Sequence, residues 1–314
     1  MKNLVNIPGT NIEIYPLVLG GNTFGWSSNK EESFAVLDAF YEAGGNFIDS
    51  ADLYSEWKPG NIGGESESII GEWMETRKNR SEIIVATKVA KYSRRLGLSP
   101  ININAAIDDS LKRLRTDYVD IYYAHEDDKT VPLVDTMIAF SQLITMGKVK
   151  YIAASNYSAE RLNESLQISQ KNSLAKYIGI QNEYNIVVRK NYENGISNLV
   201  KNNSLASFPY FSLAMGFLTG KYRESNQVDS VRAEGVSQYL TPQGFELINQ
   251  LEKIANNHQA SISAVSLAWL RQQESVTAPI ASARTVDQLK EIMQLVELSE
   301  QEINLISNLS KSGA

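Results

Sequence analysis

The chain has 314 residues, 43% of them hydrophobic and 21% charged, which is an ordinary globular composition able to bury a large core. A net charge of −6 without long runs of one sign argues against nucleic acid or an anionic membrane surface as the main partner. There is no cysteine, so disulfides, zinc–thiolate sites and cysteine nucleophiles are excluded, and a reducing, cytoplasmic setting is the expectation.

Residues 1–21 carry one lysine with no sustained apolar run behind it, so no signal peptide is expected. No apolar stretch of about 18 residues occurs, so no membrane span is expected. Residues 4–6 and 12–14, around Pro8-Gly9-Thr10, read as a hairpin. Short apolar runs then follow at 16–20, 46–49, 82–88, 118–125, 149–155, 177–181, 205–210 and 276–280. Amphipathic helical patterns lie between them, among them 31–43, 66–77, 102–113 and 133–146. Apolar runs flanked by helices indicate a parallel sheet covered on its outer face. Eight of them predict a closed (β/α)8 TIM barrel, one domain over residues 1–314, with the hairpin closing its bottom. A doubly wound sheet would want G-x-G-x-x-G after the first strand, and Gly20-Gly21-Asn22-Thr23-Phe24-Gly25 does not match it. One long polar connection, 219–241, stands out as a candidate functional or mobile loop.

Several runs end in an ionisable or amide residue: Asp49, Lys88, His125, Ser155-Asn156 and Gln181. In a barrel these ends converge on one mouth, where active sites sit. Taken singly, Asp49 reads as a turn or cap residue, Lys88 as a snorkelling lysine, His125 as a core histidine and Tyr54 as loop packing. The order Asp, Tyr, Lys, His along successive strand ends is far harder to reach by accident.

These residues resemble the aldo-keto reductase superfamily. Gly45-Asn46-Phe47-Ile48-Asp49-Ser50-Ala51-Asp52-Leu53-Tyr54 is similar to its second-strand signature, and Ala86-Thr87-Lys88 to its lysine strand. Tyr118 to His125 resembles the histidine strand, Gly147 to Ser158 the fifth strand, and Gln181-Asn182-Glu183-Tyr184-Asn185 the sixth. The fuller loop from Pro59 to Glu67 resembles the bacterial branch related to potassium-channel β subunits.

The resemblance implies NADPH-dependent reduction of an aldehyde or ketone, with Tyr54 as general acid and no metal. Free tyrosine, with a pKa of about 10, is a poor proton donor near neutrality. A lysine cation at ~4 Å favours tyrosinate by about 4 kcal/mol, so Lys88 would tune Tyr54 downward, with desolvation opposing it. Asp49 would hold Lys88 charged, and His125 would orient the carbonyl.

For the cofactor, the resemblance implies Gly20, Gly21, Asn22 and Asp49 near the nicotinamide ribose. It implies Ser155, Asn156 and Gln181 on the carboxamide, and Tyr210 stacked on the ring. Phe211, Leu213 and Gly216, then Lys221 and Arg232, would meet the pyrophosphate. Ser282, Arg284, Gln288 and Glu291 would hold the adenosine end. A guanidinium at 284 suits a 2′-phosphate, hence NADP.

Three positions depart from the family pattern. Phe211-Ser212-Leu213 stands where many relatives have Ser-Pro-Leu, so the pyrophosphate would rest on backbone amides. Ile292 replaces an asparagine for adenine, and Ala281 a proline or glycine. Trp26, Trp57 and Tyr210 are consistent with an apolar pocket for a small carbonyl compound. The competing class is an NADPH-binding sensor or regulatory subunit with little turnover; a barrel lyase using Lys88 as a Schiff base ranks third. A monomer is the default expectation.

Overall fold

The structure is a computed structural model that describes residues 4–223 and 233–311. A two-stranded antiparallel hairpin opens the chain, β1 (Val5–Asn6) against β2 (Glu13–Ile14). Eight strands follow: β3 (Val18–Gly20), β4 (Phe47–Asp49), β5 (Ile84–Val89), β6 (Val119–Ala124), β7 (Val149–Ser155), β8 (Tyr177–Gln181), β9 (Ala206–Ser207) and β10 (Ile280–Ala281). All pair in parallel, in the order β10-β3-β4-β5-β6-β7-β8-β9. The ends meet where Thr277 N donates to Ser207 O at 2.9 Å and Ile280 N to Pro209 O at 2.8 Å. That closes the (β/α)8 barrel.

The last two strands are shorter than the runs at 205–210 and 276–280. Pro209 and Pro279 have no N–H to give the ladder, and Ser207 N bonds the Thr277 hydroxyl rather than a backbone carbonyl.

Helices interleave because the sequence starts them in the right places. Asn29 and Glu32 form a reciprocal capping box on Lys30–Glu42. Ser99 caps Pro100–Leu114, with proline at the first helical position, and Ser158 caps Ala159–Lys171. Alternation along β6 sorts its later residues: Ile121 and Tyr123 face the barrel interior, while Tyr122 and Ala124 join the layer beneath the helices. The interior is packed, with Phe47 and Phe208 meeting edge to face at 5.4 Å. Ile7, Ile12 and Ile14 of the hairpin join that same cluster and plug the bottom. The open end is therefore the one where the strands terminate. In the long connection, the described residues beyond 232 form a short helix, Ala233–Val236, and a 3-10 turn, Ser237–Tyr239.

Candidate active site

A cavity of about 640 Å³ opens at the C-terminal strand ends. Register sets its floor: Gly20 pairs with Asp49, Asp49 with Ala86, and Lys88 with Tyr123. Asp49 and Lys88 are thus brought side by side. Lys88 is fully buried, and its three ammonium protons have three acceptors: Asp49 Oδ2 at 2.6 Å, Ser50 O at 2.7 Å and Tyr54 Oη at 2.9 Å. Its Nζ also lies 4.6 Å from the Tyr54 ring centroid and 5.8 Å from that of Tyr123.

Tyr54 reaches this point from a tight turn. Gly64 N bonds its carbonyl, and Ser55 takes a left-handed φ of 78° while its hydroxyl donates to Phe24 O at 2.7 Å. Holding a non-glycine residue there costs about 1–3 kcal/mol and fixes the turn. His125 follows β6, and its ring centroid is 6.2 Å from that of Tyr54. All four expected residues are brought together.

Electrostatics refine the expectation in one respect. Burial works against the Lys88 ammonium, but Asp49 and Tyr54 outweigh it and hold the lysine's pKa above its usual range. For Tyr54 burial is the largest influence and the pKa goes up, with the Lys88 charge pulling it down and Asp49 pushing it further up. The net shift is therefore opposite to the lowering expected from Lys88: Asp49 neutralises much of the lysine's field, and enclosure decides. Tyr54 holds its proton at neutral pH. Burial, then the positive charges of Lys88 and Lys91, take His125 well below the ordinary histidine range, so its ring is neutral. Among the described residues its buried Nδ1 has no hydrogen-bond partner.

The ends of β7 and β8 form one network. Ser155 Oγ donates to Gln181 O at 2.7 Å, and Asn156, at φ 59°, donates its side-chain amide to His125 O at 2.8 Å. Asn156 Oδ1 accepts from Tyr210 Oη at 2.7 Å, and Asn156 N donates to Asn182 Oδ1 at 2.8 Å. Gln181 Nε2 donates to Asp49 Oδ1 at 3.0 Å. Asn182 and Tyr123 are not singled out by the sequence, although each sits inside a quoted motif, Asn182 in the sixth-strand one and Tyr123 in the histidine strand.

Gly20, Asn22, Ser155, Asn156, Gln181, Tyr210, Phe211, Leu213, Gly216, Lys221, Ser282, Arg284, Gln288 and Glu291 all line the cavity. A Cβ at Gly20 would sit 2.5 Å from Ser282 Oγ, and Ser282 in turn donates to Asn22 Oδ1 at 2.7 Å. Gly21 stands apart. It faces away from the cavity, against Ser66, whose hydroxyl donates to its carbonyl at 2.8 Å. It packs the 3-10 turn that follows β3, Gly21–Thr23, against the helix Glu65–Arg77. Arg232 lies outside the described residues.

The 211–216 segment is strained, with φ of 50° at Phe211, 46° at Ala214 and 57° at Met215, while Gly216 takes 102° without penalty. Two of its amides are spent within the turn: Ala214 N on Phe211 O and Gly216 N on Leu213 O. Fewer amides are thus free there than the sequence implied. A Cβ at Gly216 would come 3.3 Å from Lys221 Nζ, so glycine lets that ammonium approach. Arg284 is exposed at the rim, its backbone N held by Gln288 Oε1 at 3.0 Å. Among the described residues no carboxylate pairs with its guanidinium.

Trp26 and Trp57 also line the cavity, edge to face at 5.6 Å, with Trp57 and Tyr54 at 6.0 Å. Asn61 Nδ2 ties their two loops together through Gly25 O at 3.1 Å and Ser55 O at 2.9 Å.

The chain is 31% identical to norsolorinic acid reductase B of Aspergillus parasiticus, over 96% of this chain and 82% of that one. It is 30% identical to aryl-alcohol dehydrogenase [NADP(+)] of Phanerodontia chrysosporium, over 93% and 81%. It is also 30% identical to protein tas of Escherichia coli, over 94% and 93%. Residues 16–311 match the model of the Aldo/keto reductase family, and the chain belongs to that family of oxidoreductases.

Proposed function

We propose that this chain is an NADPH-dependent reductase of aldehydes or ketones, working reversibly as one barrel unit, with aromatic carbonyl compounds as its substrates. The observation that carries the reading is the buried Asp49–Lys88–Tyr54 chain of hydrogen bonds at 2.6 and 2.9 Å. Burying a charged lysine against a phenol is costly, and a protein that only binds a cofactor has no use for it.

The cofactor would supply the hydride to the carbonyl carbon. The rest falls to side chains. Tyr54 keeps its proton at neutral pH and gives it to the oxygen that is becoming an alkoxide. The tyrosinate left behind lies 2.9 Å from the Lys88 ammonium, so its charge is met as it forms. Because Asp49 and Ser50 O fix that ammonium beforehand, no solvent need reorganise. His125, neutral and lining the cavity, would donate to the same oxygen and hold it toward Tyr54. Running the sequence backward makes Tyr54 the base for alcohol oxidation.

The residues present fit a dinucleotide. The Gly20–Ser282 approach leaves room only for glycine beside the cavity, and Lys221 and Arg284 are cations on its lining. Arg284, without an acidic partner among the described residues, suits a 2′-phosphate. The aromatic arc of Trp26, Trp57 and Tyr54 suits a flat ring, in keeping with relatives named for aryl alcohols and norsolorinic acid.

The test is oxidation of NADPH and of NADH followed by absorbance, with aromatic aldehydes, dicarbonyls and simple ketones. Turnover of aromatic aldehydes with NADPH, and a KM for NADPH raised at least tenfold in Arg284→Leu while that for NADH barely moves, is the expected result. Tight NADPH binding without turnover of any carbonyl would leave a sensor.

A further inference from the structure

Three cations line the cavity among the described residues: Lys91, Lys221 and Arg284. Strand order separates them. Lys221 and Arg284 follow β9 and β10, on the side read above as the cofactor's. Lys91 follows β5. Around the closed barrel, the loops after β3, β4, β5 and β6 form one continuous arc, and they carry Trp26, Trp57, Lys91 and His125 in that order. In the strand order β5 stands four places from β9, so the loop that carries Lys91 leaves the barrel opposite the one that leads to Lys221.

The chain is bent to put Lys91 there. Ala90, the residue before it, is buried and adopts a φ of 118°. That region is nearly closed to residues with a side chain. Hydrogen bonds on both sides maintain it: His125 N to Val89 O and Gly97 N to Ala90 O, each 2.8 Å. The positive charge at Lys91 reaches the site itself, since it is one of the charges that depress His125.

In this structure Lys91 is paired with Glu126 at 3.2 Å, but both side chains are largely exposed, at 39% and 45%. An exposed pair of this kind contributes little, so Lys91 can leave it for another carboxylate at little cost. Trp26, Trp57, Leu53 and His125, its companions on this arc, carry no acid.

We propose that Lys91 is a specificity-determining residue that receives a carboxylate on the aromatic substrate. The natural substrates on this account are aromatic aldehydes or ketones that bear an acidic group away from the reacting carbonyl. The ring lies against Trp57 and Trp26, the carbonyl oxygen meets Tyr54 and His125, and the distal carboxylate meets Lys91. The inference rests on the reductase reading above, and its test has a readout that does not.

The experiment compares 4-carboxybenzaldehyde with its neutral methyl ester, methyl 4-formylbenzoate, on the full chain with NADPH. The quantity read is the ratio of kcat/KM, acid over ester. A ratio above one is expected, falling about tenfold in Lys91→Gln and rising two- to threefold in Glu126→Gln, where the lysine loses its competitor. Raising KCl should lower the ratio in the natural chain, because a partly exposed pair is screened. The same two compounds are titrated by quenching of tryptophan fluorescence with NADP+ present, which needs no turnover. If neither compound is reduced but the binding ratio shows the Lys91 dependence, the reductase reading fails and this one stands. If both are reduced and neither ratio responds to Lys91→Gln, this inference is overturned and the reductase reading stands.

Discussion

Gln181 donates its side-chain amide to Asp49 Oδ1 at 3.0 Å, while Asp49 accepts from Lys88 on its other oxygen at 2.6 Å. A residue read from sequence as a cofactor contact is thus bonded directly to the carboxylate that holds the lysine. Both carboxylate oxygens are satisfied. Gln181→Leu would strip one donor from a buried carboxylate, a loss of about 1–3 kcal/mol. We expect kcat to fall about tenfold, with NADPH affinity weakened as well. Gln181→Glu should be worse on both counts, since it sets two carboxylates against each other. Steady-state kinetics and denaturant titration would check this, and an unchanged kcat in Gln181→Leu would refute it.

Lys88 is fully buried and Asp49 is 2% exposed, so neither can turn to water if its partner is lost. Lys88→Met should destabilise the fold by about 3–5 kcal/mol, chiefly through the carboxylate it leaves unpaired. Combining it with Asp49→Asn should recover part of that loss, because the stranded charge is gone. Urea unfolding of the two single variants and the double variant measures the coupling. Strictly additive losses would contradict it.

Asp52, two residues before Tyr54, is buried with neither carboxylate oxygen hydrogen-bonded among the described residues. Burial and the neighbouring Glu67 push its pKa up to about 8, against the pull of Arg113, Arg95 and the Leu53 amide. The folded state then keeps a proton that the unfolded chain releases near pH ~4. Its contribution to stability is full below that pH and is lost as pH rises towards 8. Asp52→Asn, uncharged throughout, should therefore match the natural chain near pH 4.5 and exceed its Tm by several degrees at pH 8 to 9. Melting curves across that range are the check, and an offset independent of pH would count against it.

Much of this was readable in advance, for a physical reason. An apolar run that ends in an ionisable or amide residue has few uses, and the four ends at Asp49, Lys88, His125 and Gln181 needed only barrel geometry to converge. What was not readable depends on enclosure and on which partner wins. The upward shift at Tyr54 follows from burial and from Asp49 offsetting Lys88, neither of which spacing reveals. Gly21 looked equivalent to Gly20, yet Ser66 on the following helix claims it. The amides of Ala214 and Gly216 are taken by their own turn, which left-handed backbone at Phe211 and Met215 makes possible. Lys91 follows Lys88 by only three residues but reaches the cavity because Ala90 turns the chain.

In the proposed reaction Tyr54 gives the proton and Lys88 only supports it. This is tested most directly by single-turnover oxidation of NADPH with an aromatic aldehyde, in the natural chain and in Tyr54→Phe, with NADPH affinity measured on the same samples. Loss of general acid catalysis is worth about 10²–10⁴ in rate. A loss in that range is expected, with NADPH affinity changed less than twofold. A Tyr54→Phe variant that turned over at the natural rate, or that lost activity only because NADPH no longer bound, would contradict it.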